Sequence, residues 1–206
     1  MSWEPPRIWD GDTVAILASG PSMSQSVADT VRGRCAVIAI NDTYKLAPWA
    51  DMLYACDRDW WKVNPHAMAF SGLKVSMQPV DGVLQVQNGG RIGFDSRPTH
   101  IKNGSNSGYQ ALHLAAHMGA SRVLLCGYDM RMVGGKTHWF GEHEGILRKA
   151  SPYIDWRGNF AVLAPELAAR GVQVVNCTPG SGLECFQLAD LDASLHRSLS
   201  EYSATA

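Results

Sequence analysis

The sequence predicts an α/β protein, a Rossmann-like three-layer domain with a mostly parallel sheet. Short apolar runs of strand length recur along the chain, at residues 13–19, 35–40 and 121–126. Helical patterns alternate with these runs, and polar or glycine residues follow each run directly. Runs that are apolar at every position are typical of strands covered on both faces, as in a parallel sheet between two helical layers.

The length and composition indicate one domain. The chain has 206 residues, of which 46% are apolar and 18% are charged. No repeat, low-complexity tract or linker divides it, so we predict a single α/β domain over residues 1–206. The formal net charge of −1 does not support a general basic surface for nucleic acid, but it leaves a local basic patch open.

Three features predict a cytoplasmic protein without a membrane span. The N-terminal segment Met1-Ser-Trp-Glu-Pro-Pro lacks the basic and apolar blocks of a signal peptide. No apolar run approaches the ~18 residues that a membrane span needs. The five cysteines include no C-x-x-C motif, and most lie in or beside predicted strands, as buried thiols in a reducing compartment do.

The remaining elements follow from the same patterns. Further strands are predicted at residues 51–56, 73–77, 83–87 and 172–176. Helices are predicted at residues 24–34, 107–119, 160–170 and 186–206, with another beginning at Trp60. His113 and His117 are expected on the solvent side of the third predicted strand-connecting helix, residues 107–119. Residues 131–158 show little periodicity, and we predict a long lid-like loop there.

The first strand ends in a turn that suits a phosphate. Ser19-Gly20-Pro21-Ser22 follows the strand and opens a helix. Gly20 lets the backbone approach a ligand closely, and Ser22 is expected to cap the helix while neighbouring N–H groups face the phosphate. The structural alternative is an ordinary strand-to-helix turn with a serine cap.

Polar residues also follow the next two strands. Asn41 and Asp42 end the second strand, where a ribose or base of a nucleotide is expected. Asp57 ends the third strand and is a candidate for nucleotide binding or, with other carboxylates, for Mg²⁺. The alternative for each of these residues is a structural role in capping the segment that follows.

A second small-residue loop precedes another predicted helix. Residues 102–108 supply several backbone donors, with Asn106, Ser107 and Gly108 at the helix start. Gly127 and Tyr128 form a further corner after the strand at residues 121–126, followed by Asp129. Two such loops in one α/β domain favour a ligand that carries phosphate.

The predicted lid-like loop carries two candidate bases. His138 and His143 fit a general acid or base on a loop over a cleft, and the alternative is that both are solvent-exposed. Aromatic residues of the same segment suit either stacking on a base or sugar or fastening the loop to the body. These aromatic residues are Trp139, Phe140, Tyr153 and Trp156.

The order of these turns resembles the bacterial family 42 sialyltransferases and the wider group called domain of unknown function 115. That group includes archaeal pterin pyrophosphokinases, and the pattern is also similar to proteins of phage genomes. The resemblance spans roughly residues 13–180. It implies a metal-free transferase with a histidine base and tyrosines that assist the leaving phosphate. It further implies nucleotide contacts by Ser19, Gly20, Pro21, Ser22, Asn41, Asn106, Ser107, Gly108, Gly127 and Tyr128.

One departure from that family concerns the base. The family's catalytic histidine corresponds to Ile154 or Asp155 in this sequence. His138, His143 or Asp155 would therefore have to accept the proton of the acceptor hydroxyl.

We predict a transferase that uses a nucleotide-activated donor, as a nucleotide-sugar glycosyltransferase does, with no cofactor required. One alternative is a Mg²⁺-dependent pyrophosphokinase or nucleotidyl-type enzyme with Asp42, Asp57 and Asp129 as ligands. The other alternative is a non-catalytic nucleotide-binding module. The expected partner is a nucleotide or nucleotide-sugar donor. Nucleic acid as a partner, the acceptor and the oligomeric state are left open by the sequence.

Overall fold

The computed structural model describes residues 2–143, 145–147 and 150–196. Its main sheet has eight strands, which are β1 (Thr13–Leu17), β2 (Ala36–Ile40), β3 (Met52–Tyr54), β4 (Leu73–Ser76), β5 (Leu84–Gln85), β8 (Arg122–Cys126), β9 (Gln173–Asn176) and β10 (Gln187–Leu188). They lie in the order β10-β9-β8-β1-β2-β3-β4-β5, and neighbouring strands are parallel throughout. A separate parallel pair consists of β6 (Gln87–Asn88) and β7 (His100–Ile101). The predicted α/β class with a parallel sheet is confirmed.

Helices cover both faces of the sheet, as the continuous apolar strands predict. Along β1, Val14 and Ile16 belong to one buried cluster, and Ala15 and Leu17 belong to a second cluster on the opposite face. The first cluster packs under α3 (Ser107–His117) and α4 (Tyr153–Ala168). The second packs under α1 (Gln25–Val31), α2 (Arg58–Val63) and α5 (Leu191–His196). Side chains alternate between faces with a period of two, so each central strand must be apolar at every position.

The strand order changes direction at β1. The chain runs outward from β1 through β2 to β5, and then returns to place β8 on the other side of β1. β1 pairs with β8 from Thr13 opposite Arg122 to Leu17 opposite Cys126. Loops that leave two such strands diverge, so a crevice opens beyond their carboxyl ends, where α/β proteins commonly bind ligands.

Three predicted elements differ from the structure. The strand predicted at residues 83–87 is divided between β5 in the main sheet and β6 in the separate pair. α4 begins at Tyr153, seven positions before the predicted start, so the predicted lid-like loop at residues 131–158 ends in helix. Within the predicted C-terminal helix at 186–206, β10 occupies Gln187–Leu188 and only Leu191–His196 is helical. Residues 197–206 of that prediction lie outside the described residues.

The predicted exposure of His113 and His117 is also wrong. His113 is fully buried and His117 is half-buried. The His113 ring stacks on Phe94 at 4.9 Å, and its Nδ1 donates to the Tyr109 carbonyl at 3.3 Å. The loop that carries Phe94 covers this side of α3, and such a long-range contact leaves no trace in helical periodicity.

All five cysteines are free thiols, and each is buried or half-buried. Among the described residues, no helix combines the length and apolar character that a membrane crossing requires.

We predict that His113 makes the folded state lose stability in mild acid. Burial lowers the pKa of His113 to about 4, whereas an unfolded histidine titrates near pH 6.5. Between these values the unfolded chain binds a proton that the folded protein excludes. Between these pH values, His113 should therefore lower the free energy of unfolding by about 1.4 kcal/mol for each pH unit of acidification.

Chemical unfolding of the wild type and His113→Phe at several pH values between 7 and 4 tests this expectation. The variant keeps an aromatic ring beside Phe94 but removes the titrating group, so its stability should fall less steeply with acidity. His66→Phe, at an exposed position, controls for the loss of a histidine as such. Parallel pH profiles for the wild type and His113→Phe would contradict the assignment.

Candidate functional site

A cleft of about 660 Å³ lies beyond the carboxyl ends of the strands. Both predicted small-residue loops contribute to it, from Ser19 and Gly20 on one side and residues 105–108 on the other. The two loops thus face one crevice, which includes the end of β8. The predicted nucleotide-binding residues that line it are Ser19, Gly20, Asn41, Asp57, Asn106, Ser107, Gly108, Gly127 and Tyr128.

The turn after β1 is occupied by a carboxylate of the protein itself. Asp129 is buried, and its two oxygens accept from the Ser22 backbone N–H at 3.2 and 3.3 Å. The Ser22 hydroxyl donates to the same carboxylate at 2.8 Å, and the Gly20 N–H donates to the Gly127 carbonyl at 3.0 Å. The donors predicted to face a phosphate are therefore satisfied internally.

The roles predicted for Pro21 and Ser22 need correction. Neither lies among the described residues that line the cleft. The cap of α1 is Ser24, whose hydroxyl accepts from the Val27 N–H at 3.4 Å. Ser22 instead fastens the turn to the end of β8 through Asp129, a contact across 107 positions of sequence.

The start of α3 has the donors that the first turn lacks. Asn106 occupies the N-cap position, and its side-chain oxygen accepts from the Tyr109 N–H at 3.0 Å. The N–H groups of Ser107 and Gly108 are in the first turn, where an α-helix supplies no partner for them. The Tyr128 hydroxyl donates to the Gly108 carbonyl at 3.1 Å and so holds this helix end beside the end of β8. These N–H groups suit an anion in the cleft.

Several side-chain amides in the cleft wall have their oxygens committed to backbone N–H groups. Gln78 accepts from Arg58 at 2.8 Å, Asn88 accepts from Gly90 at 2.9 Å, and Asn106 accepts from Tyr109. An N–H can bond only the oxygen of an amide, so these contacts settle which way each amide points. The other end of each of these amides is therefore an NH₂ group, which is a hydrogen-bond donor. This applies to Gln78, Asn88 and Asn106.

The backbone of the cleft is strained. Asn41, Ser105 and Met130 are the non-glycine residues with positive φ in the described part of the chain, at 48°, 54° and 50°. All three line the cleft. A left-handed non-glycine residue costs about 1–3 kcal/mol, and such residues cluster at functional sites. Their shared location identifies this cleft as the candidate functional site.

The loop after β8 folds inward over the cleft. The Trp139 N–H donates to the Ser19 carbonyl at 3.1 Å, and its indole N–H donates to the Thr43 hydroxyl at 3.3 Å. This anchor places His138 and His143 in the cleft lining. Their ring centroids are 4.8 Å apart, and Phe140 stacks on His138 at 5.0 Å.

Both loop histidines have a lowered pKa. Burial, followed by the nearby His143, lowers the pKa of His138 below its usual range. Burial also lowers the pKa of His143, although Asp42 and Glu142 partly offset this effect. A histidine with a lowered pKa is unprotonated at neutral pH and can accept a proton.

The first turns of α4 form the remaining wall. The Tyr153 hydroxyl and the Trp156 indole N–H are buried without a hydrogen-bond partner among the described residues, and both residues line the cleft. Burial raises the pKa of Tyr153, an effect that the nearby Ser151 side chain partly offsets without reaching hydrogen-bond geometry. Asp155, in the first turn of the same helix, is exposed and lies outside the cleft lining, so the prediction of Asp155 as base is not supported by its position.

The carboxylates of the magnesium alternative do not come together. Asp42 is buried, accepts from the Trp60 indole N–H at 3.0 Å and pairs with Lys45 at 2.5 Å. Asp129 is held by Ser22, and Asp57 occupies the N-cap position of α2. Among the described residues, no three His, Cys, Asp or Glu side chains form a group that could hold a metal ion. Asp42, Asp57 and Asp129 therefore do not form the Mg²⁺ site that the alternative predicted.

Sequence reasoning missed several residues of the wall. Gln78 follows β4, Asn88 and Asn103 lie near the two ends of a glycine- and asparagine-rich stretch, and Arg131 follows Asp129. Residues 88–104 are rich in glycine and asparagine, as loops are, but composition does not indicate which loop faces the cleft.

Comparison of the chain with protein-family models, with curated proteins and with solved structures yields no match. The similarity to the sialyltransferases therefore stays a resemblance in the sequence of the turns. The function proposed below is argued from the geometry of the cleft.

We predict that any side chain at Gly20 breaks the turn. A Cβ at this position would lie 2.1 Å from Asp129 Oδ2 and 2.3 Å from the Gly127 carbonyl oxygen. Gly20→Ala should lower the free energy of unfolding by about 2–3 kcal/mol, the upper range for overpacking. Gly158→Ala is the matched control, because it lies within α4 with no atom near the added methyl group. Denaturant unfolding should show this control at wild-type stability or up to about 1 kcal/mol higher. Equal stability of the two variants would contradict the prediction.

Proposed function

We propose that the protein binds a nucleotide-activated donor, such as a nucleotide sugar, in this cleft and transfers the activated group to an acceptor. The observation that carries the proposal is the cleft at the point where the strand order changes direction, together with the strained backbone of its lining. The three left-handed residues, the start of α3 and the two loop histidines all line it. A volume of about 660 Å³ suits a ligand of nucleotide-sugar size.

The donors of the cleft support a ligand rich in oxygen acceptors. Amide NH₂ groups of Gln78, Asn88 and Asn106 join the N–H groups at the start of α3. Arg131 adds a positive charge, and the indole N–H of Trp156 adds a donor that has no partner among the residues that the structure describes. Phosphate, ribose and sugar oxygens are the acceptors that such a surface would bind.

The proposed position of the phosphate is the start of α3 and not the turn after β1. Asp129 holds that turn, and a phosphate there would place two anions on the same donors. Ser107 and Gly108 at the start of α3 lack this conflict. His138 or His143 would then take the proton of the acceptor hydroxyl as its oxygen attacks the donor carbon and the phosphate leaves.

Ligand-induced thermal stabilisation tests the proposal. Nucleoside mono- and diphosphates and nucleotide sugars are added singly to the full chain, each with Mg²⁺ and with EDTA. At least one should raise the Tm, since a ligand that binds only the folded state stabilises it. We expect the shift to survive EDTA. A shift confined to Mg²⁺ would support the pyrophosphokinase alternative, and no shift with any compound would refute nucleotide binding.

Ser107→Pro locates the phosphate. Proline is favoured at the first helical position, and Asn106 already has the extended backbone (φ −150°, ψ 125°) that a residue before proline requires. The variant should fold normally yet lack the Ser107 N–H, and affinity for the stabilising nucleotide should fall about tenfold or more. Ser107→Ala removes only the hydroxyl and should weaken binding less.

Unchanged affinity in Ser107→Pro would place the phosphate elsewhere in the cleft. A hydrolysis and transfer assay on each stabilising nucleotide sugar then separates an enzyme from a binding module. Binding without any turnover would favour the non-catalytic alternative.

A further inference from the structure

A short chain of hydrogen bonds ties one of the cleft histidines to a carboxylate. His138 Nδ1 lies 2.9 Å from the Thr137 hydroxyl oxygen, and that hydroxyl lies 2.7 Å from Glu142 Oε1. His138 lines the cleft, whereas Glu142 is exposed at its rim. The three residues thus form a His–Thr–Glu series from the cleft to solvent.

The direction of each hydrogen bond follows from the carboxylate. An ionised carboxylate can only accept, and a threonine hydroxyl has a single hydrogen. Thr137 must donate that hydrogen to Glu142, so its oxygen offers only lone pairs to His138. The Nδ1 atom of His138 must then carry the ring hydrogen. In the neutral ring, Nε2 is left with the lone pair.

We propose that Thr137 and Glu142 are positioning residues that hold His138 in the Nδ1–H tautomer, with Nε2 as the proton-accepting atom. This assigns His138, and not His143, as the base. The assignment of His138 as the base rests on the proposed function, whereas the assignment of its tautomer does not.

The backbone of the loop brings these side chains together. His138 and Gly141 form an antiparallel bridge in which the Gly141 N–H donates to the His138 carbonyl at 3.0 Å. Gly141 has φ +101°, which turns the chain back toward Thr137. The His138 ring stacks on Phe140 with an interplanar angle of 12° and contacts the edge of His143. The ring is therefore held on its face as well as through Nδ1.

Charged and titratable groups near His138 agree with a neutral base that can be protonated transiently. Burial and His143 lower the pKa of His138, while Gly141, Glu142 and Asp42 act in the opposite direction. When the acceptor oxygen forms its bond to the donor carbon, its O–H bond breaks and the proton moves to Nε2. The bond from that carbon to the phosphate breaks, and its electron pair leaves with the phosphate. Thr137 and Glu142 would stabilise the resulting imidazolium through Nδ1–H.

Long-range ¹H–¹⁵N correlation spectra of the uniformly ¹⁵N-labelled full chain measure the tautomer directly. Spectra at pH 8 show each neutral histidine, and His138→Gln and His143→Gln assign the two loop signals. We expect His138 in the Nδ1–H form in the wild type. Thr137→Val keeps the shape of the side chain but removes the hydroxyl, and it should produce a mixture of both tautomers.

Two further variants separate the proposed chain from simple packing. Thr137→Ser retains the hydroxyl and should retain the Nδ1–H form. Glu142→Ala leaves the Thr137 hydrogen without its acceptor, so Thr137 can donate to Nδ1 and the tautomers should mix. Backbone amide spectra verify that each variant is folded. An Nε2–H wild type, or wild-type tautomers in both Thr137→Val and Glu142→Ala, would overturn the proposal.

Kinetics separate failure of this inference from failure of the proposed function. With a nucleotide sugar that the wild type turns over, Thr137→Val should lower kcat about tenfold or more with little change in KM. Wild-type kcat in Thr137→Val would refute the positioning role while transfer stands. No turnover of any donor by the wild type would refute the transferase, and the tautomer spectra would still decide the hydrogen-bond chain.

Discussion

The contact of Asp129 with the turn after β1 is the constraint on which the site depends. Asp129 follows β8, and its carboxylate accepts both the N–H and the hydroxyl of Ser22. The contact joins the segments that follow β1 and β8, beside the point where the strand order changes direction. The Asp129 carboxylate lies so close to Gly20 that no Cβ fits at this position, which explains the glycine. It also leaves the start of α3 as the exposed set of N–H groups beside the crevice.

The polar groups of the cleft are arranged by internal hydrogen bonds before any ligand arrives. Amide oxygens accept from backbone N–H groups, so the NH₂ ends project as donors. Tyr128 holds the start of α3, and Trp139 holds the loop that carries the histidines. The left-handed backbone at Asn41, Ser105 and Met130 costs stability that the two buried clusters offset. A preorganised donor surface of this kind loses little entropy on binding an acceptor-rich ligand.

Patterns within short stretches of the sequence predicted the elements whose structure depends on neighbouring residues. Continuous apolar runs located β1, β2 and β8 within two residues, because strands buried on both faces must be apolar throughout. The turn with Gly20 and the loop with Ser107, which the sequence singled out by their small residues, both contribute to the cleft. Contacts far apart in sequence were not predictable this way. The burial of His113 by Phe94 and the pairing of Ser22 with Asp129 are examples.

The sequence by itself determined the α/β class, the parallel sheet and the edge at which the polar turns gather, since periodicity and composition are set residue by residue. Only the tertiary structure decided which turn still has unpaired donors, that Asp155 lies outside the cleft, and that His138 and His143 lie within it. Those outcomes depend on which side chain arrives from a distant segment. A hydrogen bond across about a hundred residues is a property of the assembled fold, because neither partner's neighbours in the sequence specify the other.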